Sequence, residues 1–158
     1  MKEKNSIDDT DRRILAEVQR NAALSLAELA DKVGLSSTPC WRRVQRLEKA
    51  GILSKRVALL DPDALNLGVT VFVRLKTDQH DRAWLDRFAA GVVAIPEVVE
   101  VWRMSGEIDY LLKVVVPDIA GYDAVYKRLI AAAPFADVSS NFAMERIKVT
   151  TELPLDYA

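Results

Sequence analysis

Thr38, Arg42, Arg46 and Lys49 recur at intervals that put their side chains on one arc of a helix, at about 100° per residue. Guanidinium and ammonium groups arrayed this way neutralise phosphates, and a guanidinium fork also matches the O6/N7 edge of guanine. Cys40, Val44 and Leu47 fall together on the opposite arc, Arg43 flanks that apolar side and Gln45 sits at the edge of the charged one. One face therefore packs while the other presents cations. Residues 37–56 hold six basic residues and one acid, Glu48, although the whole chain of 158 residues carries a net charge of −1. Residues 1–56 contain twelve Lys/Arg and eight Asp/Glu, net +4, and the remainder ten and fifteen, net −5. Bulk charge does not point to a polyanionic partner; its local concentration does. The competing reading of any charged run is a solvated helix face, so the surroundings of this one decide.

Those surroundings are a mount. Ser25 and Glu28 form an S-x-x-E capping box at a helix start, and Leu26, Leu29, Ala30 and Val33 give that helix one apolar face. Gly34 ends it, because glycine takes a left-handed C-cap cheaply. Ser36 or Ser37 caps the next helix, with Pro39 in its first turn, where a missing N–H costs nothing. Gly51 stops that helix; Ile52 and Leu53 resume apolar burial, and Lys55 and Arg56 lie where a wing would be placed. Upstream, Asp8 and Asp11 suit a helix N-terminus, Ile7, Ile14, Leu15 and Val18 form its stripe, and Asn21 ends it. Three helices over residues 8–50, the last two joined by a tight turn, are the layout of a helix-turn-helix that lays its second helix in the major groove.

After residue 68 the period changes. Residues 54–62 read as a short strand closing on Asp61-Pro62, and Asp63 to Gly68 as a connector. Val69, Val71, Val73 and Leu75 then alternate with Thr70, Phe72, Arg74 and Lys76, which is strand spacing. A helix over Asp81–Ala94, strands over Val98–Met104 and Ile108–Val116, a helix from Asp118 to Ala133 and a strand over Val138–Thr150 complete the order β-α-β-β-α-β. Two helices cover one face of such a sheet; Phe72, Trp102, Met104 and Leu112 are candidates to line the other, which implies pairing between chains. The expected fold class is α+β: a winged helix-turn-helix over 1–56, a linker strand and connector over 57–68, and a ferredoxin-like βαββαβ domain over 69–158.

Other chemistry is sparse. Cys40 is the sole cysteine, so no internal disulfide is possible, and its place on the wheel makes it a small core residue. With one His and one Cys a zinc site is not expected; His80 is given no chemistry, and no cofactor is expected. No nucleophile–base pair or phosphate loop is visible, so the chain is not read as an enzyme. No leader-like stretch precedes Ile7 and no apolar run approaches the roughly 20 residues of a membrane span. The expectation is a cytoplasmic, nucleoid-associated protein without membrane contact.

The chain also resembles, nearly end to end, the leucine-responsive/asparagine-regulator (Lrp/AsnC) family of transcription factors. The residues are D-x-x-D-x-x-I-L (Asp8, Asp11, Ile14, Leu15), S-x-x-E-L-A-x-x-V-G-L-S from Ser25, T-P-C-x-x-R-V-x-R-L-E-x-x-G-I from Thr38, P-E-V-x-E at Pro96–Glu100, S-G-x-x-D-Y-L-L at Ser105–Leu112 and L-P-L at Leu153–Leu155. TPCW at Thr38–Trp41, VALLDP at Val57–Pro62, WRMSGEIDYL at Trp102–Leu111 and FAMERIKVTTELPL at Phe142–Leu155 are similar to the branch that regulates cysteine detoxification. Two stretches depart from the family pattern. Ser54–Arg56 stands where Gly-Tyr is usual, and Pro134-Phe135-Ala136 stands in a turn near the usual effector pocket.

The resemblance implies an effector domain of the RAM/ACT-like kind, dimers assembled four at a time into an octamer, and amino acids bound in clefts between dimers. It makes double-stranded DNA, a small amino-acid effector (cysteine first) and a second copy of the chain the expected partners. The expected DNA contacts are Ser36, Ser37, Thr38, Arg42, Arg43, Arg46, Lys49, Lys55 and Arg56. For the effector, Met104, Ser105, Gly106, Glu107, Ile108 and Asp109 form a turn whose backbone N–H groups could hold an α-carboxylate and whose acids could hold an α-ammonium. Residue types alone favour a plain hairpin turn at Gly106 with two solvated acids around it; the resemblance is what turns the reading towards an effector. The rival account of the whole chain is an architectural DNA-binding protein with no effector response.

Overall fold

Reciprocal caps start the first helices. In a computed structural model that describes residues 7–79 and 81–158, Asp8 caps α1 (Asp9–Arg20). Its carboxylate accepts from the Asp11 N–H at 2.8 Å while Asp11 accepts from the Asp8 N–H at 3.2 Å. Ser25 and Glu28 do the same for α2 (Leu26–Lys32). Gly34, at φ +68°, turns the chain into α3 (Ser37–Lys49). Ile14, Leu15, Val18, Leu29, Ala30, Val33, Cys40, Val44 and Leu47 form one buried cluster among these helices. The N-terminal six residues and His80, which was given no chemistry, lie outside the described residues.

The second half carries β1 (Val69–Lys76), α4 (Arg82–Val93), β2 (Val98–Arg103), β3 (Tyr110–Val116), α5 (Ile119–Ala132) and β4 (Asp137–Phe142). The sheet order is β2-β3-β1-β4, antiparallel throughout. β3 thus lies between β1 and β2, as the split βαβ reading requires. Val71, Val73 and Leu75 of β1 and Leu112, Val114 and Val116 of β3 face Trp84, Phe88 and Val92 of α4 and Tyr122, Val125 and Leu129 of α5. The Trp84 indole N–H donates to the Pro134 carbonyl at 2.9 Å. At Gly91 the two helices approach so closely that an added Cβ would lie 2.5 Å from the Ala132 Cβ.

Three expectations are corrected. Leu112 does not line the open sheet face: it is fully buried opposite Val73 on the helix side, because every second residue of β3 points there. Phe72 and Trp102 do stand on the open face, with Glu100 and Lys113 paired at 2.9 Å between them, and Met104 is exposed just past β2. The last strand stops at Phe142 rather than Thr150, because its partner ends: the Ala143 N–H still reaches the Thr70 carbonyl at 2.9 Å, and β1 begins at Val69. Residues 54–62 form no strand, since no described segment supplies a ladder for them.

The chain divides into two compact units, residues 1–59 with 148–158, and residues 60–147. The end of the chain therefore groups with the helices rather than with the sheet. Gln19 exchanges two hydrogen bonds with the Leu153 backbone at 3.1 and 3.0 Å, Arg20 meets Glu152 at 3.2 Å, and Leu155 packs on the helical cluster. No described helix is long and apolar enough to cross a membrane.

Candidate nucleic-acid interface

α3 buries Cys40, Val44 and Leu47 and leaves Thr38, Trp41, Arg42, Gln45, Arg46 and Lys49 exposed, matching its helical wheel. Burial raises the Cys40 thiol pKa above its ordinary value. Ser36 is the N-cap residue, but its hydroxyl makes no capping bond. The free N–H groups of the first turn, together with the helix dipole, therefore suit an anion.

The cations of α3 fall into two sets. Arg43 donates to Asp8 at 2.7 Å and to Asp11 at 2.9 Å, and Arg46 pairs with the other oxygen of Asp11. The Asp11 side chain is completely sealed from solvent, whereas the Arg46 side chain remains 50% exposed. One buried carboxylate on α1 thus aims two guanidinium groups of α3. The Asp11 N–H and the Arg43 guanidinium together lower the Asp8 carboxyl to about 2, and the two aspartates raise the Arg43 pKa. Sequence reading missed this anchor; its signal was the D-x-x-D spacing, which is a capping box in acidic dress. The second set is unpaired: Arg42 and Lys49, like Lys55 beyond the helix, make no ion pair among the described residues. Arg56 is tied to Glu48 at 3.0 Å, and Glu48 also accepts from Gln45 at 2.9 Å.

Residues 7–54 match a family model for a winged helix-turn-helix DNA-binding domain, and residues 70–153 match the Lrp/AsnC ligand binding domain. The chain belongs to the Lrp/AsnC family. It is 50% identical to the DNA-binding transcriptional activator DecR of Escherichia coli over 95% of this chain and 99% of that protein, which puts it in the DecR-like branch of the Lrp/AsnC regulators. It is 46% identical to the glutamate uptake regulatory protein of Zymomonas mobilis, over 94% and 91%. The crystal structure of an AsnC family regulator from Agrobacterium tumefaciens superimposes with a TM-score of 0.92 at 60% identity, over 95% of this chain and 98% of that one. A Neisseria meningitidis regulator crystallised with L-Met superimposes at 0.91 with 37% identity, over 96% and 99%. Such Lrp/AsnC proteins are DNA-binding transcriptional regulators, some of them solved with an amino acid bound.

In the Lrp/AsnC ligand-binding half, the turn from Met104 to Asp109 is tightly built. Gly106 sits at φ +116°. The Met104 N–H donates to the Asp109 carbonyl at 2.8 Å, the Asp109 N–H to the Leu75 carbonyl at 2.9 Å, and the Asp109 carboxylate accepts from the Thr77 N–H at 2.9 Å. Asp109 therefore holds the turn to the end of β1, while Glu107 is largely exposed and only 3.5 Å from Lys76. Ser105 is exposed and Ile108 half-buried. Beside the turn opens a cleft of about 340 Å³, lined by Gln79, Asp81, Trp84, Arg103 and Tyr110 among others. Of these, Arg103 is a cation that sequence reading did not single out for the effector.

Proposed function

We propose that this protein is a sequence-specific transcriptional regulator that reads DNA with α3 and responds to a small amino acid. The observation that carries the reading is the exposed cationic face of α3, mounted on a capped α2 and aimed from behind by Asp11, in a chain of slight net negative charge. The N-terminal half of α3 enters the major groove. Ser36, Ser37 and the open N-terminus of α3 take a phosphate, and Thr38 and Arg42 reach base edges. Arg43 and Arg46 are presented in fixed orientation, so less entropy is lost when they meet the duplex. Lys49, Lys55 and Arg56 track the backbone.

A homodimer spaces two such helices about 34–36 Å apart. The open sheet face with Phe72 and Trp102, and the exposed Val57, Leu59 and Leu60, supply apolar surface for pairing and for assembly towards an octamer. The effector binds at the Met104–Asp109 turn, with Arg103 and the N–H groups of Ser105 to Ile108 toward the carboxylate and Glu107 toward the ammonium. Cysteine is the first choice, on the likeness to the DecR-like branch. The ligand acts only through differential affinity for two assemblies. The protein works in the cytoplasm, on the nucleoid.

The test is to select bound duplexes from a random pool with the full-length protein, with and without a panel of amino acids including cysteine. A recurrent half-site whose enrichment shifts with one amino acid is expected. Enrichment without a consensus would replace the reading with an architectural role, and a consensus indifferent to every amino acid would remove the effector.

A further inference from the structure

Trp41 stands 51% exposed on α3. It shares the exposed face with Thr38, three residues before it, and Gln45, four after it, a spacing that brings side chains together on a helix. Nothing in the helical core needs it: the buried face of α3 is completed by Cys40, Val44 and Leu47. A large apolar ring at the margin of a cationic face, next to Gln45, is an unusual use of surface, since it gains nothing until something covers it. The occupant must tolerate Arg42 and Lys49, neither of which makes an ion pair among the described residues. A second copy of the same helix would bring like charge against like, whereas DNA brings phosphates to the cations. Trp41 also lies in the N-terminal half of α3, the part of a recognition helix that meets base edges.

The major groove offers one apolar feature, the C5-methyl group of thymine. We infer that Trp41 is a specificity-determining residue that packs its indole on a thymine methyl, so that sequence is read partly by apolar contact and not by the arginines alone. The inference rests on the regulator reading above and adds the class of base edge recognised.

The experiment uses full-length protein and a duplex selected from the random pool by the wild-type chain. Each thymine is replaced in turn by deoxyuridine, which removes the methyl and keeps the base pair. For the wild type, one thymine per half-site should cost about fourfold in affinity when replaced, the worth of one buried methyl-sized group. Trp41→Ala should bind the parent duplex more weakly, be indifferent to that replacement, and keep the wild-type salt dependence, because no charge has changed. Trp41→Phe should restore part of the discrimination. Equal uridine penalties in wild type and Trp41→Ala, or no thymine whose methyl matters, would overturn the inference while leaving the regulator reading intact. Wild-type protein that fails to prefer the selected duplex over its scrambled version would overturn both. Loss of self-association in Trp41→Ala, with the uridine penalties unchanged, would assign the ring to contact between copies instead.

Discussion

Asp11 is the most informative residue to remove. Its carboxylate is sealed from water, closes the α1 capping box and holds both Arg43 and Arg46. In Asp11→Ala the lost half of the capping box costs about 1 kcal/mol. The two charge-assisted hydrogen bonds would be worth more than that each if buried, but the guanidinium groups are 32% and 50% exposed and regain water. Discounted to near surface values, they add about 0.5 kcal/mol apiece. The sum is about 2 kcal/mol, or a fall of about 4–8 °C in melting temperature for a chain of this length. DNA binding should move in the opposite sense. Arg46, released from its anion, strengthens binding to random duplex and steepens its salt dependence by up to about 1 in log–log slope, while Arg43 stays paired with Asp8. Preference for a selected site should fall, because the side chains are no longer aimed. Thermal melts followed by circular dichroism, and affinities for selected and scrambled duplexes over a salt series, measure all three. A variant that melts within a degree of wild type and keeps both its salt slope and its preference would refute the idea that Asp11 organises this face.

Acid should weaken the helical unit through Asp8. Its carboxyl lies at about 2, below an ordinary 3.8, so its stabilising contribution is complete above about pH 4 and is lost as pH falls towards 2; melts over that range should lose this component in Asp8→Asn. Gly91→Ala gains about 1 kcal/mol in helix propensity but drives a Cβ to 2.5 Å from that of Ala132, and overpacking of about 1–3 kcal/mol should leave the variant less stable by denaturant titration. Cys40 is fully buried, so native protein should resist thiol reagents until unfolded, and Cys40→Ser should destabilise by about 1–3 kcal/mol through an unpaired hydroxyl.

What could be read from the sequence was whatever depends on near neighbours. The Ser25–Glu28 box, the Gly34 turn and the split of α3 into a packed and a charged face are local, and the structure contains each of them. The hold of Asp11 on Arg43 and Arg46 spans more than thirty residues, and a helical wheel treats both arginines as free. Leu112 sits in an apolar run that offers both faces to burial, so alternation alone cannot choose its side; the register against Val73 does. The end of β4 is set by where β1 stops, a property of the partner strand. In the effector half, the turn around Gly106 was visible, but Asp109 looks the same on paper whether it waits for an ammonium group or, as found, holds the Thr77 N–H.

The return of residues 152–155 to α1 has a bearing on timing. During synthesis the three helices emerge early, but the segment that bonds Gln19 and Arg20 follows only after the whole sheet-bearing unit has been made. Domains tend to fold as they leave the ribosome, so the nascent helical unit spends that interval with the outer side of α1 uncovered. The helical unit is thus started before the sheet-bearing unit and completed only after it.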